Sequence, residues 1–221
     1  MKIERLKIES SNLEEQLQFY RDVLGLEILQ QEEKFFEVRA GYSILEFHFQ
    51  KNATSYHIAY HIPAYREEQA LQWLKTRTAI IRDEGQEIVD FPNWNARSVY
   101  FYDADNNILE FISRRHCFLS ESDGFASEDI LGISEIGLAT SNVKETFQFL
   151  HRNFKLNKFT GDYEVFCATG DEEGLFIVVN KENKSWFPSN DPALASNFEL
   201  QFTTAEGLFK MAYKNERLEL L

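Results

Sequence analysis

Polar side chains with metal-binding or proton-transfer chemistry recur on one face of several short strands that are predicted in the first half of the chain. In each of these strands an apolar residue alternates with a polar one, as expected where one face of a sheet is buried. The polar face carries Arg5, Lys7, Glu46, His48, His57, His61 and Glu110. Carboxylates and imidazoles bind metal ions or move protons, whereas guanidinium and ammonium groups bind anions. The pattern predicts a polar cup, while a wet sheet face is the simpler interpretation for His48 and His61.

Aromatic residues near these strands are candidates for the walls of a small-molecule site. Tyr100 and Tyr102 lie in one predicted strand, Phe35 begins another, and Trp94 stands in the loop at 92–95. Binding pockets combine aromatic surface with a few fixed polar groups. Ordinary sheet packing is the alternative for most of these side chains. Trp94 is the favoured rim residue, because loops at the edge of a cleft often carry recognition.

An internal repeat organises the elements that position these side chains. The sequence SNLEEQLQF at residues 11–19 returns as SNVKETFQF at residues 141–149. Each copy follows a short alternating strand and runs into a helix, so the repeated unit is a strand, a helix and further strands. In the first copy Asn12 and Glu15 have the spacing of a capping box, and Gly25 supplies a left-handed helix end.

Four units of this kind are expected along the chain, with the fourth one truncated. Phe198 and Glu219 correspond to His57 and Glu110 of the second unit, but the residues between them are too few for a helix. The predicted fold class is therefore α+β, with duplicated βαβββ units that form cup-like mixed sheets in two unit pairs.

The domain organisation follows from this repeat. Residues 1–116 are expected to hold one pair of units with the candidate site. Residues 117–129, rich in Ser, Asp and Glu, are the expected linker. Residues 130–221 are then a degenerate second pair.

Composition and charge limit the classes of function. The chain has 36 acidic and 23 basic residues, and its net charge of −13 repels phosphate backbones and anionic membrane surfaces. Cys117 and Cys167 lie in different repeats without metal-type spacing, and no apolar run is long enough to span a membrane. We expect a cytoplasmic protein with a small-molecule ligand and without a nucleic-acid or membrane partner.

Three segments resemble the vicinal oxygen chelate superfamily, the group of glyoxalases, bleomycin resistance proteins and extradiol dioxygenases. They are LEEQLQFYRDVLGLE at 13–27, YHIAY at 56–60 and DADNNILEF at 103–111. These segments are similar to the family's first helix and to the opening and closing strands of its second unit. In that family two units pair into a cup, and a divalent metal ion is held by one residue from the first strand and one from the last strand of each unit.

The resemblance implies Glu46, His57 and Glu110 as metal ligands and places Arg5 at the fourth position. A guanidinium group has no lone pair for a metal, so at most three protein ligands remain. Oxygen and nitrogen ligands of this kind suit zinc, nickel, manganese or iron. In the alternative, Arg5 replaces the ion by pairing with Glu46 or Glu110, and no metal is bound.

The matching positions in the second half predict no further centre. They hold Glu135, Ile177, Phe198 and Glu219. Ile177 and Phe198 cannot ligate a metal, so the second half is expected to be a scaffold or a binding surface.

The resemblance supports three functional hypotheses. The first is a glyoxalase-like metal enzyme, an isomerase or lyase acting on vicinal oxygens, with Glu46 and Glu110 as the catalytic carboxylates. Substrate contacts are then expected from Arg5, Lys7, His48, His61, Trp94 and Tyr100. Extradiol dioxygenation is less favoured, since Arg5 removes one histidine of its iron site. The others are a metal-free binding protein of the bleomycin-resistance type and a non-catalytic scaffold, and a homodimer is left open.

Overall fold

The computed structural model describes residues 1–120 and 123–221 and arranges them in four consecutive units. Unit 1 contains β1 (Lys2–Ser10), α1 (Leu13–Gln18), which continues as a π-helix over Phe19–Val23, β2 (Glu27–Gln31), β3 (Phe35–Ala40) and β4 (Ser43–Phe49). Unit 2 contains β5 (His57–Ile62), α2 (Glu67–Lys75), β6 (Ile80–Ile81), β7 (Val89–Phe91), a 3-10 turn at Pro92–Trp94, β8 (Ala96–Tyr102) and β9 (Ile108–Arg114). Unit 3 follows a 3-10 turn at Ser127–Asp129 and contains β10 (Gly132–Thr140), α3 (Val143–Phe154), β11 (Lys158–Gly161), β12 (Phe166–Asp171) and β13 (Gly174–Asn180). Unit 4 has only the strands β14 (Phe198–Thr204), β15 (Gly207–Lys214) and β16 (Arg217–Leu220).

This architecture confirms the predicted fold class, including the truncated fourth unit. Part of the expected linker at 117–129, namely Glu121 and Ser122, lies outside the described residues. None of the helices within the two described ranges is long and apolar enough to cross a lipid bilayer.

The repeated motif starts a helix in the same way in units 1 and 3. The side-chain oxygen of Asn12 accepts a hydrogen bond from the backbone N–H of Glu15 at 3.4 Å, and that of Asn142 accepts one from Glu145 at 3.0 Å. These contacts satisfy backbone donors that a helix leaves without partners in its first turn. After the π-helical turn Gly25 adopts φ +67°, the left-handed conformation predicted for it.

The strands form two mixed sheets, and each sheet combines two units. The first sheet has the order β16-β15-β14-β1-β4-β3-β2 and joins unit 1 to unit 4. The second sheet has the order β11-β12-β13-β10-β5-β9-β8-β6, with β7 paired to β8, and joins unit 3 to unit 2. In both sheets the opening strand of one unit bonds antiparallel to the opening strand of the other, β1 to β14 and β10 to β5.

The two sheets share one hydrophobic core. Leu6, Ile8, Leu45 and Phe47 of the first sheet and Ile58, Tyr60, Leu109 and Phe111 of the second sheet are all buried in it. Helix α3 packs on β12 and β13 of the second sheet, and its Phe154 reaches Phe202 of the first sheet with ring centroids 5.1 Å apart. The alternating polar residues therefore point to the outer face of each sheet, and those of the first sheet lie on the opposite side of the core from those of the second.

This pairing of units differs from the pairing expected between units 1 and 2 within residues 1–116. Every opening strand carries a similar alternating pattern, so hydrophobic periodicity is equally compatible with either pairing. The consequence for function is direct, because a site built on one sheet draws its residues from units 1 and 4 or from units 2 and 3.

Candidate metal centre

Three buried polar side chains converge on the outer face of the second sheet, where units 2 and 3 meet. His57 lies on β5, Glu110 on β9 and Glu135 on β10. In the strand register Ala59 lies opposite Glu110 on one side and opposite Glu135 on the other. His57 is two positions from Ala59 and therefore on the same face. One potential ligand atom from each of the three residues lies within 4.8 Å of the others, a spacing that allows all three to bind one ion.

Hydrogen bonds hold both carboxylates in place. Ser98 Oγ donates to Glu110 Oε1 at 2.5 Å, and Glu110 Oε2 lies 3.4 Å from His57 Nε2. Arg114 donates from Nη2 to Glu135 Oε1 in a buried ion pair. Within residues 1–120 and 123–221, Nδ1 of His57 and the Nε and Nη1 atoms of Arg114 have no hydrogen-bond partner.

The donor set fits a divalent metal ion. Glu110 and Glu135 bring two carboxylates into a buried region, where Arg114 supplies one positive charge. Burial raises the pKa of the Glu135 carboxyl to about 7, and the negative charge of Glu110 adds to the rise, while Arg114 and His57 oppose it. Such a buried carboxylate pair is stabilised by a proton or by a cation. One imidazole nitrogen and two carboxylate oxygens are ligands that zinc, manganese, iron and nickel accept.

The three side chains form the floor of a cavity of about 420 Å³. This volume falls within the range of small-molecule sites. The walls are mainly aromatic and consist of Phe91, Trp94, Tyr100, Phe166, Trp186 and Phe187. Lys184 and Phe187 also line the cavity but are partly exposed, so they mark its mouth.

The segment between β13 and β14 covers part of this cavity with Trp186. The indole is 4% exposed, and its ring centroid lies 5.3 Å from that of His57. Tyr102 fastens the segment by donating from its hydroxyl group to Asp191 Oδ2 at 2.6 Å. A Cβ atom at Gly137 would lie only 2.6 Å from Trp186 Cη2. A glycine at this position of β10 is therefore what allows the indole to approach the floor.

Solved structures that superpose on this chain have low sequence identity to it. A Bacillus subtilis protein that carries the provisional name of a dioxygenase superposes with a TM-score of 0.60 at 16% identity, over 81% of this chain and 63% of its own length. A variant of glyoxalase I from Zea mays gives a TM-score of 0.57 at 12% identity, over 96% of this chain and 92% of its own. Another structure of glyoxalase I from Zea mays gives 0.53 at 14% identity, over 80% and 66%. The chain has the fold of these solved structures.

The likeness at these identities is one of fold. This chain spans 63% of the length of the Bacillus subtilis protein. No family model matches the sequence, and no curated protein matches it either.

Within the vicinal oxygen chelate fold, the centre occupies the first-strand and last-strand positions of units 2 and 3. His57 and Glu110 come from unit 2, and Glu135 comes from the first strand of unit 3. The remaining position holds Ile177, which lies opposite Gly137 in the β10–β13 register and lines the cavity. The side chain of Ile177 offers no ligand atom.

The structure brings together only part of the ligand set expected from the sequence. His57 and Glu110 lie side by side, but Glu46 lies on β4 of the first sheet. There Arg5 Nη1 lies 2.9 Å from Glu46 Oε2 and 2.6 Å from Glu37 Oε1. The alternative pairing of Arg5 with Glu46 is thus present, and the pairing with Glu110 is not.

Lys7 and His48, which were expected to contact substrate, also lie on the first sheet. Lys7 Nζ is 3.6 Å from Glu199 Oε2. His48 Nε2 forms a close contact with Glu46, and the His48 ring stacks on Phe35 with centroids 5.2 Å apart. These side chains therefore belong to a charged face that is separate from the aromatic cavity.

The other expected contact residues lie on the second sheet. Trp94 and Tyr100 line the cavity, and the ring centroid of Tyr100 is 6.4 Å from that of His57. His61 lies on the same strand as His57 but is buried, with Nε2 3.1 Å from the carbonyl oxygen of Glu173. Burial lowers the pKa of His61 to about 3, and the charge of Arg114 acts in the same direction.

Sequence reasoning missed two components of the centre. Glu135 occupies the same position in its unit as Arg5 does in unit 1. The repeat therefore marks Glu135 as a candidate ligand, but only when units 2 and 3 are known to pair. Trp186 lies in the connection between units 3 and 4, outside the repeated pattern, where neither spacing nor periodicity marks it.

Proposed function

We propose that this protein is a metal-dependent enzyme that acts on a small molecule with two vicinal oxygens, through an isomerase or lyase reaction of the glyoxalase type. The observation that carries the proposal is the buried cluster of His57, Glu110 and Glu135 on the floor of an aromatic cavity. Glyoxalase I is the name of two of the solved structures with this fold, which supports the reaction class.

In this proposal His57, Glu110 and Glu135 would hold the ion, with one ligand atom from each. A divalent ion bound there supplies Lewis acidity that polarises the vicinal oxygens and stabilises negative charge developing on them. Ile177 closes the fourth side with an apolar group, so no fourth side chain competes with the substrate for the ion. The aromatic walls limit the access of water, which strengthens electrostatic interactions on the floor.

Proton transfer in this proposal is the task of Glu135. Glu135 lines the cavity, so its carboxylate is placed to accept and return a proton of a bound substrate. Arg114 holds the Oε1 atom of Glu135 in a fixed position. Glu110 is bound by Ser98 and stays a ligand, and Glu46 has no part because the core separates it from the cavity.

A metal-free binding protein is the second candidate, and Arg114 is the observation that favours it. Its guanidinium already places one positive charge against Glu135, so the floor can bind a polar ligand without an ion. Extradiol dioxygenation is less favoured, because the floor supplies one imidazole instead of two. The centre is complete within one chain, so a homodimer is not required for it.

Metal content measured by mass spectrometry tests the proposal. We would incubate purified protein with zinc, nickel, manganese or ferrous iron, remove unbound ions, and compare the wild type with Glu110→Gln and Glu135→Gln. Glu46→Gln is the matched control, since it removes a carboxylate of the first sheet. We expect about one ion per wild-type chain and per control chain, and a loss of at least tenfold in affinity in the other two variants.

Three results discriminate between the candidates. Metal bound by the wild type and lost in Glu110→Gln and Glu135→Gln supports the enzyme. Metal lost in Glu46→Gln but kept in Glu135→Gln would restore the ligand set expected from the sequence. No metal under any condition would support the metal-free binding protein.

A further inference from the structure

A cationic side chain stands at the mouth of the aromatic cavity. Lys184 lines the cavity, and its Nζ lies 5.1 Å from the ring centroid of Phe166. None of the ion pairs formed within residues 1–120 and 123–221 includes Lys184, whereas Lys181 close by pairs with Glu216. Acidic residues outnumber basic ones by 36 to 23 in this chain, so an ammonium group without a carboxylate partner beside a cavity is available to a ligand.

The floor at the other end of the cavity is also attractive to anions once it holds a divalent ion. The carboxylates of Glu110 and Glu135, the guanidinium of Arg114 and the ion together leave one net positive charge. Positive groups at both ends of a low-dielectric cavity favour a ligand with negative charge at both ends.

The walls between the two ends favour a flat ring. Trp94 and Phe166 face each other in a stacked arrangement, with an angle of 27° between their planes and 6.5 Å between their centroids. Phe187 meets Tyr100 edge to face at 5.9 Å. Aromatic surfaces in these orientations pack well against a further planar ring.

We propose that the substrate is an aromatic anion with a pair of oxygens at the floor, a flat ring between the aromatic walls and an acid group paired with Lys184 at the mouth. This inference rests on the proposed function for the floor and adds the substrate class. Lys184 is then the residue that selects an acid over its neutral analogue.

Two probes that differ in one charge test the selection. They are 3,4-dihydroxybenzoate, which has vicinal oxygens, a ring and a distal acid, and its methyl ester, which lacks the negative charge of the acid. Zinc-loaded protein is titrated with each probe, and binding is followed by quenching of tryptophan fluorescence, because Trp94 and Trp186 line the cavity. Zinc has no redox chemistry, so the bound ion does not oxidise the probes, and the titrations are run without oxygen.

We expect the wild type to bind the acid about tenfold more tightly than the ester, as for a hydrogen bond to a charged group. Lys184→Met should bring this ratio close to one by weakening acid binding alone, and Lys184→Arg should restore most of it. Lys158→Met is the matched control, since Lys158 also lies over an aromatic ring, 4.8 Å from that of Tyr163, but does not line the cavity. Its ratio should equal that of the wild type.

An acid preference that Lys184→Met leaves unchanged would overturn the inference, as would a wild type that binds neither probe or prefers the ester. The same titrations without zinc separate this inference from the proposed function. If the metal analysis finds no ion, an acid preference that depends on Lys184 still supports the role of Lys184. If zinc binds but the acid preference is independent of Lys184, the proposed function stands and the substrate class does not.

Discussion

Arg5 donates a hydrogen bond to Glu46 in the first sheet, with Nη1 2.9 Å from Oε2. The same nitrogen also lies 2.6 Å from Oε1 of Glu37. The guanidinium thus supplies the positive charge that offsets these two carboxylates. Both sheets thus place a guanidinium against a carboxylate on their outer face, since Arg114 pairs with Glu135 in the second sheet.

Removing this guanidinium should destabilise the first sheet. In Arg5→Met the carboxylates of Glu37 and Glu46 remain close together without their shared partner. Arg5 is 35% exposed, and solvent screens the pair, so we expect a loss of about 1 kcal/mol in the free energy of unfolding. Urea unfolding measures this loss, and adding Glu46→Gln to Arg5→Met should recover part of it.

Arg39→Met is the control for the Arg5 prediction. It removes the more exposed pair of Arg39 with Glu27 on the same sheet, so we expect a change close to zero. An equal loss in both variants would show that the loss in Arg5→Met comes from a general change in charge.

A methyl group on Gly137 should displace Trp186. The added Cβ in Gly137→Ala would lie 2.6 Å from the indole, and overpacking of this kind lowers stability by about 1–3 kcal/mol. We expect a lower melting temperature and a shifted tryptophan emission maximum. Gly124→Ala is the control, because no heavy atom of residues 1–120 and 123–221 lies within 4 Å of a Cβ built there. Unchanged emission in Gly137→Ala would contradict the close packing of Trp186.

Acid should reveal the buried position of His61. The folded-state pKa is lowered to about 3 from an ordinary value of 6.5, so the unfolded chain binds a proton that the folded protein excludes. His61 therefore contributes stability that is fully present above pH 6.5 and is lost as the pH falls toward 3. His61→Gln cannot take up this proton.

The measurement is the difference in free energy of unfolding between the wild type and His61→Gln at several pH values. As the pH falls from 6.5, we expect the free energy of unfolding of the wild type to fall relative to that of His61→Gln, by up to about 1.4 kcal/mol per pH unit. Other acidic groups affect both proteins and cancel. Parallel stability curves for the two proteins would mean that His61 is protonated in the folded state.

Glu135 should have the opposite effect in the metal-free protein. Its pKa is raised from 4.5 to about 7, so its contribution to stability is fully present below pH 4.5 and is lost as the pH rises through 7. Glu135→Gln keeps a neutral group there. In the presence of a chelator we expect the free energy of unfolding of the variant to rise relative to that of the wild type, by about 1 kcal/mol for each pH unit between pH 5 and 7.

Zinc provides the second readout for Glu135. It should raise the free energy of unfolding of the wild type at pH 8 and leave that of Glu135→Gln almost unchanged, because the variant lacks one of the three proposed ligands. Glu182→Gln, at an exposed position, serves as the control and should respond like the wild type. A variant that loses stability in parallel with the wild type between pH 5 and 7 would contradict the raised pKa.

Local rules account for the parts of this fold that the sequence predicts. The cap at Asn12, the left-handed Gly25 and the alternation that buries Leu45 and Leu109 each depend on residues close together in the chain. The partner of each opening strand depends on residues far apart. Four similar strands can pair in more than one way, and their side-chain periodicity is the same in each.

The predicted centre was incomplete for this reason. His57 and Glu110 belong to one unit, so they stay together in any pairing. The other two positions hold Arg5 and Glu46 if unit 1 is the partner, and Glu135 and Ile177 if unit 3 is the partner. Glu110 therefore meets a carboxylate from β10 instead of one from β4.

Units 2 and 3, which pair with each other, lie in the sequence between units 1 and 4, which also pair. This arrangement has a consequence for the order of folding. The second sheet is built from residues 57–180, a continuous stretch of chain, whereas β1 must wait for β14, where Lys2 lies opposite Thr203. Closing so long a loop carries a larger entropy loss and slows folding. During synthesis the sheet with the candidate centre can thus form while unit 4 is still emerging from the ribosome, and β1 stays without its antiparallel neighbour β14 until then. The sheet with the candidate centre is expected to be the earliest to acquire protection against hydrogen exchange.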